Sequence, residues 1–178
     1  QHLFEQHNVV RALKNSFATT LLQTFAALAV SSIAGYGFEI YHDKAKDTVM
    51  AILMLAMMVP FVAVLVPLFQ MFTKAKLINS WTGFILPSIA TPFLIMYFRN
   101  SARSFPRDTL EAARIDGLNE FQIFIRMFIP MMKPTYASAA TITFMCAWNA
   151  YLWTKVFMQT NEAIHMPMLV PNTMGGHV

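Results

Sequence analysis

The sequence predicts an all-α integral membrane protein, and three observations carry that prediction. Its 178 residues are 56% hydrophobic but only 12% charged, which is about half the charged share of an ordinary soluble domain. Four long stretches contain no Asp, Glu, Lys or Arg. Residues 51–59 are a solid apolar block, whereas a membrane-spanning strand alternates apolar and polar residues. Lipid in place of water around much of the chain explains these observations together.

The four charge-free stretches predict four membrane-spanning helices. An α-helix needs about 20 residues, at 1.5 Å each, to cross about 30 Å of hydrocarbon. The stretches are 24, 26, 22 and 21 residues long and cover residues 15–38, 48–73, 77–98 and 134–154. Aromatic side chains near their ends fit an interfacial belt, namely Tyr36, Tyr41, Trp81, Tyr97, Trp148, Tyr151 and Trp153.

The second and third spans each contain two prolines: Pro60 and Pro67, then Pro87 and Pro92. A proline removes one backbone donor and costs about 3 kcal/mol in an ordinary helix interior. Two interpretations stay open: these helices bend around a pathway, or proline is simply common in membrane helices.

Basic residues predict the orientation in the membrane. The segment before the first span, the second connection and the tail (155–178) carry five Lys and Arg residues. The first and third connections carry eight, and six of these lie in the loop 99–133. The positive-inside bias therefore puts the loop 99–133 in the cytoplasm and the tail outside. The net charge of +4 is then an orientation signal, and binding to nucleic acid has little support.

The loop 99–133 predicts two helices joined by a glycine. Pro106 suits a first helical turn, and Asp108 stands at capping-box spacing from Glu111. Gly117 suits the position after the end of this short helix. Asn119 and the residues after it would cap a second helix over about 121–129, closed by prolines at the membrane.

This loop resembles the EAA loop of ABC importer permeases. Glu111-Ala112-Ala113, three residues, Gly117, nine residues and then Met127-Phe128-Ile129-Pro130 match the family pattern, with Met127 for Ile and Ile129 for Leu. Residues 110–117 and 148–153 resemble the carbohydrate-uptake branch, which includes the maltose and multiple-sugar permeases.

The resemblance implies a site that couples transport to ATP hydrolysis. In that family, the glutamate-bearing coupling helix sits in a groove of the ATPase subunit. The residues to which this role transfers are Glu111, Ala112, Ala113, Asp116, Gly117 and Pro130. Asp116 and Arg114 could instead be solvated helix charges. The implied partners are two ATPase subunits that bind ATP–Mg, a second permease subunit, an extracytoplasmic solute-binding protein and membrane lipid.

The resemblance also implies a type I ABC permease fold with six spans. The chain would then be a single permease domain over 1–178, truncated at both ends, in the bacterial inner membrane. Position alone makes four residues candidates for lining the pathway: Thr91, Tyr97, Asn149 and Tyr151.

We therefore expect a non-catalytic permease subunit of an ATP-driven importer for a sugar or related solute. The chain has no P-loop, no metal-ligand cluster and no set of residues for nucleophilic catalysis, so we expect no cofactor of its own. One alternative is the same class of transporter for glycerol phosphate, an amino acid or a peptide. Another is a subunit of an ion-coupled carrier, although the predicted spans contain no charged residue. A soluble helical scaffold is a third.

Overall fold

The structure is a computed structural model that describes residues 2–78 and 80–150, with side chains from residue 13 onward. Every regular element in this part of the chain is a helix. Tyr151 and the predicted external tail lie outside the described residues. The helices are α1 (His2–Ile40), α2 (Lys44–Ala56), α3 (Phe61–Lys74), α4 (Trp81–Ile85), a 3-10 turn (Leu86–Ser88), α5 (Pro92–Ala102), α6 (Arg107–Ile115), α7 (Glu120–Ile123), a π-helical segment (Phe124–Phe128), α8 (Ile129–Met131) and α9 (Lys133–Trp148).

The first predicted span lies within one continuous helix. Within α1, Leu13–Ile40 is long and apolar enough to cross a membrane by length and composition. No proline interrupts this segment, so its backbone hydrogen bonds can be satisfied inside the helix.

The second and third predicted spans are not single helices. Each is a pair of helices bent at a short break: α2 with α3, and α4 plus its 3-10 turn with α5. Pro60 stands in extended conformation just before α3, and Thr91 does the same before Pro92. The conformation of Thr91 is expected, because the residue before a proline is driven out of the α region. Pro67, by contrast, lies inside α3 without ending it.

The described residues therefore contain one helix able to span a membrane, or up to three if each bent pair counts as one span. In the fourth predicted span, the 16-residue helix α9 (Lys133–Trp148) covers residues 134–148, and residues 151–154 lie outside the described part.

The chain divides into two compact units. The first unit contains residues up to Ala26, Pro60–Ile89 and the residues from Ile142, and the second contains Ala27–Val59 and Ala90–Thr141. In the first unit, a buried cluster forms around Phe72, Phe84 and Ile85. The second unit has two buried clusters, described below where they bear on the site.

Within the second unit, α1 and α5 touch backbone to backbone at Gly35. A Cβ atom built on Gly35 would lie 2.6 Å from Phe98 Cβ, 2.7 Å from the Arg99 backbone nitrogen and 2.9 Å from the Ile95 carbonyl oxygen. Only glycine fits such an approach. Nearby, Ala27, Leu94, Phe98 and Ala139 form one of the buried clusters.

Candidate functional site

The segment 107–128, called the elbow here, is the part of the loop 99–133 that folds as predicted in outline. It consists of α6, a turn at Gly117, α7 and the π-helical segment. The predicted start of α6 is wrong by two residues. Pro106, in extended conformation, takes the cap position without a side-chain bond, and Asp108 lies inside the first turn.

The turn between α6 and α7 is a Schellman motif. The Leu118 N–H donates to the Ala113 carbonyl at 3.0 Å, and the Gly117 N–H donates to the Arg114 carbonyl at 3.1 Å. Gly117 has a φ of 80°, which is the left-handed region that glycine adopts without a Cβ penalty. The prediction that Gly117 ends the first helix is confirmed.

The start of α7 is also as predicted. The Asn119 side chain accepts from the Gln122 N–H at 2.8 Å, and the Gln122 side chain accepts from the Asn119 N–H at 3.0 Å. This reciprocal capping box satisfies two backbone donors that the first turn leaves free. The two caps together give the elbow a defined angle instead of a loose connection.

Beyond α7 the helix does not close at the prolines as predicted. It continues as the π-helical segment and then α8, with Pro130 near the start of α8. Pro134 lies in the first turn of α9, where no intrahelical N–H bond is needed. Isolated π-turns are often found at functional sites, and this one ends two residues before Pro130.

A buried aromatic cluster, called the elbow core here, fastens the elbow to its unit. The Tyr36 ring of α1 packs edge-on against Phe124 and Phe128, with centroids 5.3 and 4.9 Å apart. Such aromatic pairs contribute about 0.5–1.5 kcal/mol beyond their buried area. The elbow core comprises Tyr36, Ala102, Phe105, Leu110, Ala113, Ile123, Phe124, Phe128 and Met132.

The residues predicted to contact a partner are presented unequally by α6. Glu111, Ala112 and Asp116 are exposed, whereas Ala113 is 2% exposed and belongs to the elbow core. Ala113 thus packs α6 onto its own unit. The exposed side of α6 ends at Ile115, an apolar residue that is 86% exposed and that the sequence analysis did not single out.

One carboxylate joins the elbow to α1. Glu120 Oε1 accepts from Arg114 Nε at 2.7 Å, and Glu120 Oε2 accepts from the Tyr36 hydroxyl at 3.4 Å. Burial raises the pKa of Glu120, but Arg114 and the nearby Tyr41 hydroxyl outweigh it, so the net pKa is lower than usual. Burial, and then the neighbouring Glu120 carboxylate, raises the pKa of Tyr41.

A second polar group ties the end of α5 to α1 and α2. The Arg99 side chain is 7% exposed; its guanidinium reaches Glu39 Oε2 at 3.3 Å and Asp47 Oδ1 at 2.6 Å. Arg103 shares Glu39 at 3.4 Å. His42 Nδ1 lies 3.2 Å from the Arg99 guanidinium, and its Nε2 lies 3.1 Å from Asp47 Oδ2. Because arginine only donates, Nδ1 must accept and Nε2 must carry the proton.

The pathway candidates lie in ordinary packing surroundings. Tyr97 is half-buried, and its hydroxyl lies 2.6 Å from Ser138 Oγ on α9. Thr91 precedes α5, and Asn149 is exposed with its amide donating to the Met145 carbonyl at 2.9 Å. Tyr151 is outside the described residues, so a role in the pathway stays a prediction for all four. The described residues hold no group of three or more His, Cys, Asp or Glu suited to a metal ion.

Comparison with known proteins gives a consistent family. A family model described as the inner membrane component of binding-protein-dependent transport systems matches residues 27–172. The lactose transport system permease protein LacG of Rhizobium radiobacter is 41% identical over 94% of this chain and 61% of its own length. The arabinooligosaccharides transport system permease protein AraQ of Bacillus subtilis is 36% identical over 86% of this chain and 55% of its own.

Further similarities are more distant. The sn-glycerol-3-phosphate transport system permease protein UgpE of Pectobacterium atrosepticum is 30% identical over 79% of this chain and 50% of its own length. A bacterial ABC transporter that imports the acidic polysaccharide alginate shares the fold with a TM-score of 0.87, at 23% identity, over 96% of this chain and 60% of that one. The chain thus spans about half to three-fifths of the curated relatives.

Proposed function

The chain belongs to the family of inner membrane components of binding-protein-dependent transport systems, and on that premise we propose that it is the permease subunit of an ABC importer for a sugar or oligosaccharide. The observation that carries the proposal is the 41% identity to a lactose permease protein over 94% of the chain. The similarity to AraQ, an arabinooligosaccharide permease protein, supports the same substrate class.

Energy would enter through the elbow. The exposed side of α6, with Glu111, Ala112 and Asp116, offers charge and close approach to an ATPase subunit, and exposed Ile115 offers apolar area. Gly117 sets the angle of the elbow, and the elbow core beneath makes α6 a rigid projection instead of a flexible loop. A rigid projection transmits displacement, which is what an alternating-access mechanism requires of its motor contact.

The remaining parts of the assembly follow from the family. ATP–Mg would bind to a pair of ATPase subunits, and this chain would perform no chemistry itself. A second permease subunit would complete the pathway, and a solute-binding protein would deliver the sugar from outside. The permease would have six spans in the inner membrane, with the elbow in the cytoplasm.

An uptake assay tests this function. The full-length permease, co-expressed with an ATPase and a solute-binding protein of the same transport system, should co-purify with the ATPase and take up a labelled sugar in proteoliposomes containing ATP. Lactose, an arabino-oligosaccharide and sn-glycerol 3-phosphate are the probes, and the last represents the alternative substrate class that UgpE suggests. Uptake that continues without ATP but needs an ion gradient would point to an ion-coupled carrier and refute the proposal.

Two substitutions test the site within the same assay. Glu111→Lys reverses the charge of the exposed side of α6, and Gly117→Val forces a β-branched residue into left-handed backbone. Each should weaken association with the ATPase subunits and lower uptake at least about tenfold. For Glu111→Lys the reason is that a charge reversed in an interface costs several kcal/mol, and for Gly117→Val it is the strained backbone at the turn. Arg107→Gln, on an exposed residue of the same helix, is the control. Normal ATPase association and uptake in both variants would exclude this surface as the motor contact.

A further inference from the structure

We propose that Glu120 is the positioning residue that makes α1 follow the movement of α6, an inference that rests on the function proposed above. Its carboxylate is shared between two other elements: one oxygen accepts from Arg114 in the last turn of α6, and the other accepts from Tyr36 of α1. Glu120 itself begins α7. Three helices of the second unit therefore meet at a single side chain.

The contact of α6 and α1 at Glu120 is called the joint here. Apolar contacts alone would let α6 rotate or slide at this joint. Leu110 and Ala113 connect α6 to the elbow core, but apolar packing is non-directional. The bond from Arg114 to Glu120 adds direction, because the guanidinium donates along fixed axes. It fixes the rotation of α6 about its own axis relative to Tyr36.

The α1 side of the joint is equally well defined. The Tyr36 ring packs against Phe124 and Phe128, so the hydroxyl cannot leave Glu120 without moving the elbow core. Displacement of α6 would therefore reach the end of α1 through Glu120 rather than through the backbone of residues 41–106.

Because the Arg114–Glu120 ion pair is exposed, its role in coupling can be distinguished from a contribution to folding stability. The Arg114 and Glu120 side chains are 42% and 40% exposed, and ion pairs so exposed contribute little to folding. Removing the carboxylate should leave the fold intact and loosen the connection. A defect in coupling without a defect in assembly is the signature of a positioning residue.

The experiment compares Glu120→Ala and Glu120→Gln with wild type in the full-length complex, using whichever of the three probes the wild type takes up. The measured quantity is sugar taken up per ATP hydrolysed. We expect assembly and ATP hydrolysis to change by less than about twofold and the ratio to fall about fivefold for Ala, and less for Gln, which keeps one acceptor. Asp108→Ala removes an exposed acid from the first turn of α6 and should keep the wild-type ratio.

A second variant approaches the joint from α1. Tyr36→Phe keeps the ring in the elbow core and removes only the hydroxyl, so its folding should be preserved. Its sugar uptake per ATP hydrolysed should also fall. The double variant Tyr36→Phe/Glu120→Gln should transport no less sugar per ATP than the poorer single variant, since both substitutions remove the same interaction. A wild-type ratio in Glu120→Ala, or fully additive defects, would overturn the proposal.

A measurement that needs no partner separates this inference from the proposed function. In the purified permease, Glu120→Ala should speed hydrogen exchange of the α6 amides, whereas Asp108→Ala should not. If no ATPase subunit joins the wild-type permease, the proposed function fails. If the ATPase binds but Glu120→Ala changes neither the hydrogen exchange of the α6 amides nor the sugar taken up per ATP, the role proposed for Glu120 is wrong and the proposed function is unaffected.

Discussion

The two units of the chain are held by different kinds of contact. In the second unit, aromatic packing in the elbow core lies beside directional polar bonds, and the six ion pairs seen among the described residues all fall there. The described cluster around Phe72, Phe84 and Ile85 in the first unit is apolar, and the same unit also buries Ser16, Thr19, Thr20, Gln23 and Thr24 of α1. Burial alone gives cohesion without direction. The ion pairs seen among the described residues therefore give the second unit directional contacts in addition to burial.

Arg99→Met in the second unit should give the largest loss of stability and tests this contrast most strongly. It keeps much of the side-chain length but removes the buried guanidinium that Glu39, 15% exposed, shares with Asp47, and it leaves Glu39 only the exposed Arg103. Removing one member of a buried pair costs about 3–5 kcal/mol, so the variant should aggregate at clearly lower temperature. The readout is the fraction of monodisperse protein after heating in detergent. Arg103→Met removes a 60% exposed partner of the same Glu39 and should cost about 1 kcal/mol or less. Equal losses would break the contrast.

Gly35→Ala should give the next largest loss of stability. Its Cβ would meet backbone atoms of α5 at under 3 Å, and overpacking of this kind costs about 1–3 kcal/mol. Gly37→Ala, on the same helix, has nothing within 4 Å and should be neutral or slightly stabilising, because alanine favours helix over glycine. Heating curves of the two variants give the comparison. Similar curves would mean that α1 and α5 can separate freely.

The helix caps test whether polar bonds matter equally in both units. Asn119→Ala removes the capping box of α7, and Ser80→Ala removes the bond that Ser80 Oγ accepts from the Gly83 N–H in the first unit. Each should cost about 1 kcal/mol. Hydrogen exchange should accelerate locally, at Gln122 in one variant and at Gly83 in the other. Acceleration spread through the whole second unit by Asn119→Ala would show that its contacts act cooperatively.

The smallest expected effect is on pH dependence. Because the pKa of Glu120 lies below its ordinary value of 4.5, the stability it contributes is present above that value and is lost as pH falls through the lowered pKa. Wild type and Glu120→Gln should therefore differ by a constant amount, about 1 kcal/mol or less, between pH 6 and 8. The gap should narrow only as pH falls below 4.5, because the pKa of Glu120 is lowered from that value. A gap that widens on acidification would contradict the ionised pair with Arg114.

The parts of the elbow that could be predicted are those governed by local chemistry. Gly117 and Asn119 act within a few residues of themselves, so spacing alone indicates the turn and the cap. The contacts that organise the unit were missed for a physical reason. Tyr36 and Glu120 lie 84 residues apart, and Arg99 lies 60 residues from Glu39. No local spacing encodes such pairings, and Tyr36 was interpreted only as an interfacial aromatic residue.

The predicted spans illustrate the same limit. The absence of charge over 48–73 and 77–98 predicted two spans and left open whether their prolines bend them; both are interrupted near a proline. Pro67 and Pro60 are chemically alike, but only Pro60 stands at a break. A proline in the sequence therefore does not by itself indicate where a helix breaks.

The ion pairs around Arg99 also bear on the position of α1 along the membrane normal. A guanidinium with two carboxylates is costly in hydrocarbon, so if α1 crosses a bilayer, Glu39 lies outside the hydrocarbon on one side. From Glu39 back to Lys14 is 25 residues, or about 38 Å of helix, against about 30 Å of hydrocarbon. An upright helix would then place both charges about 4 Å outside the hydrocarbon, among the headgroups. The ion pairs at Glu39 would anchor α1 at one membrane surface, and Lys14 would lie at the other.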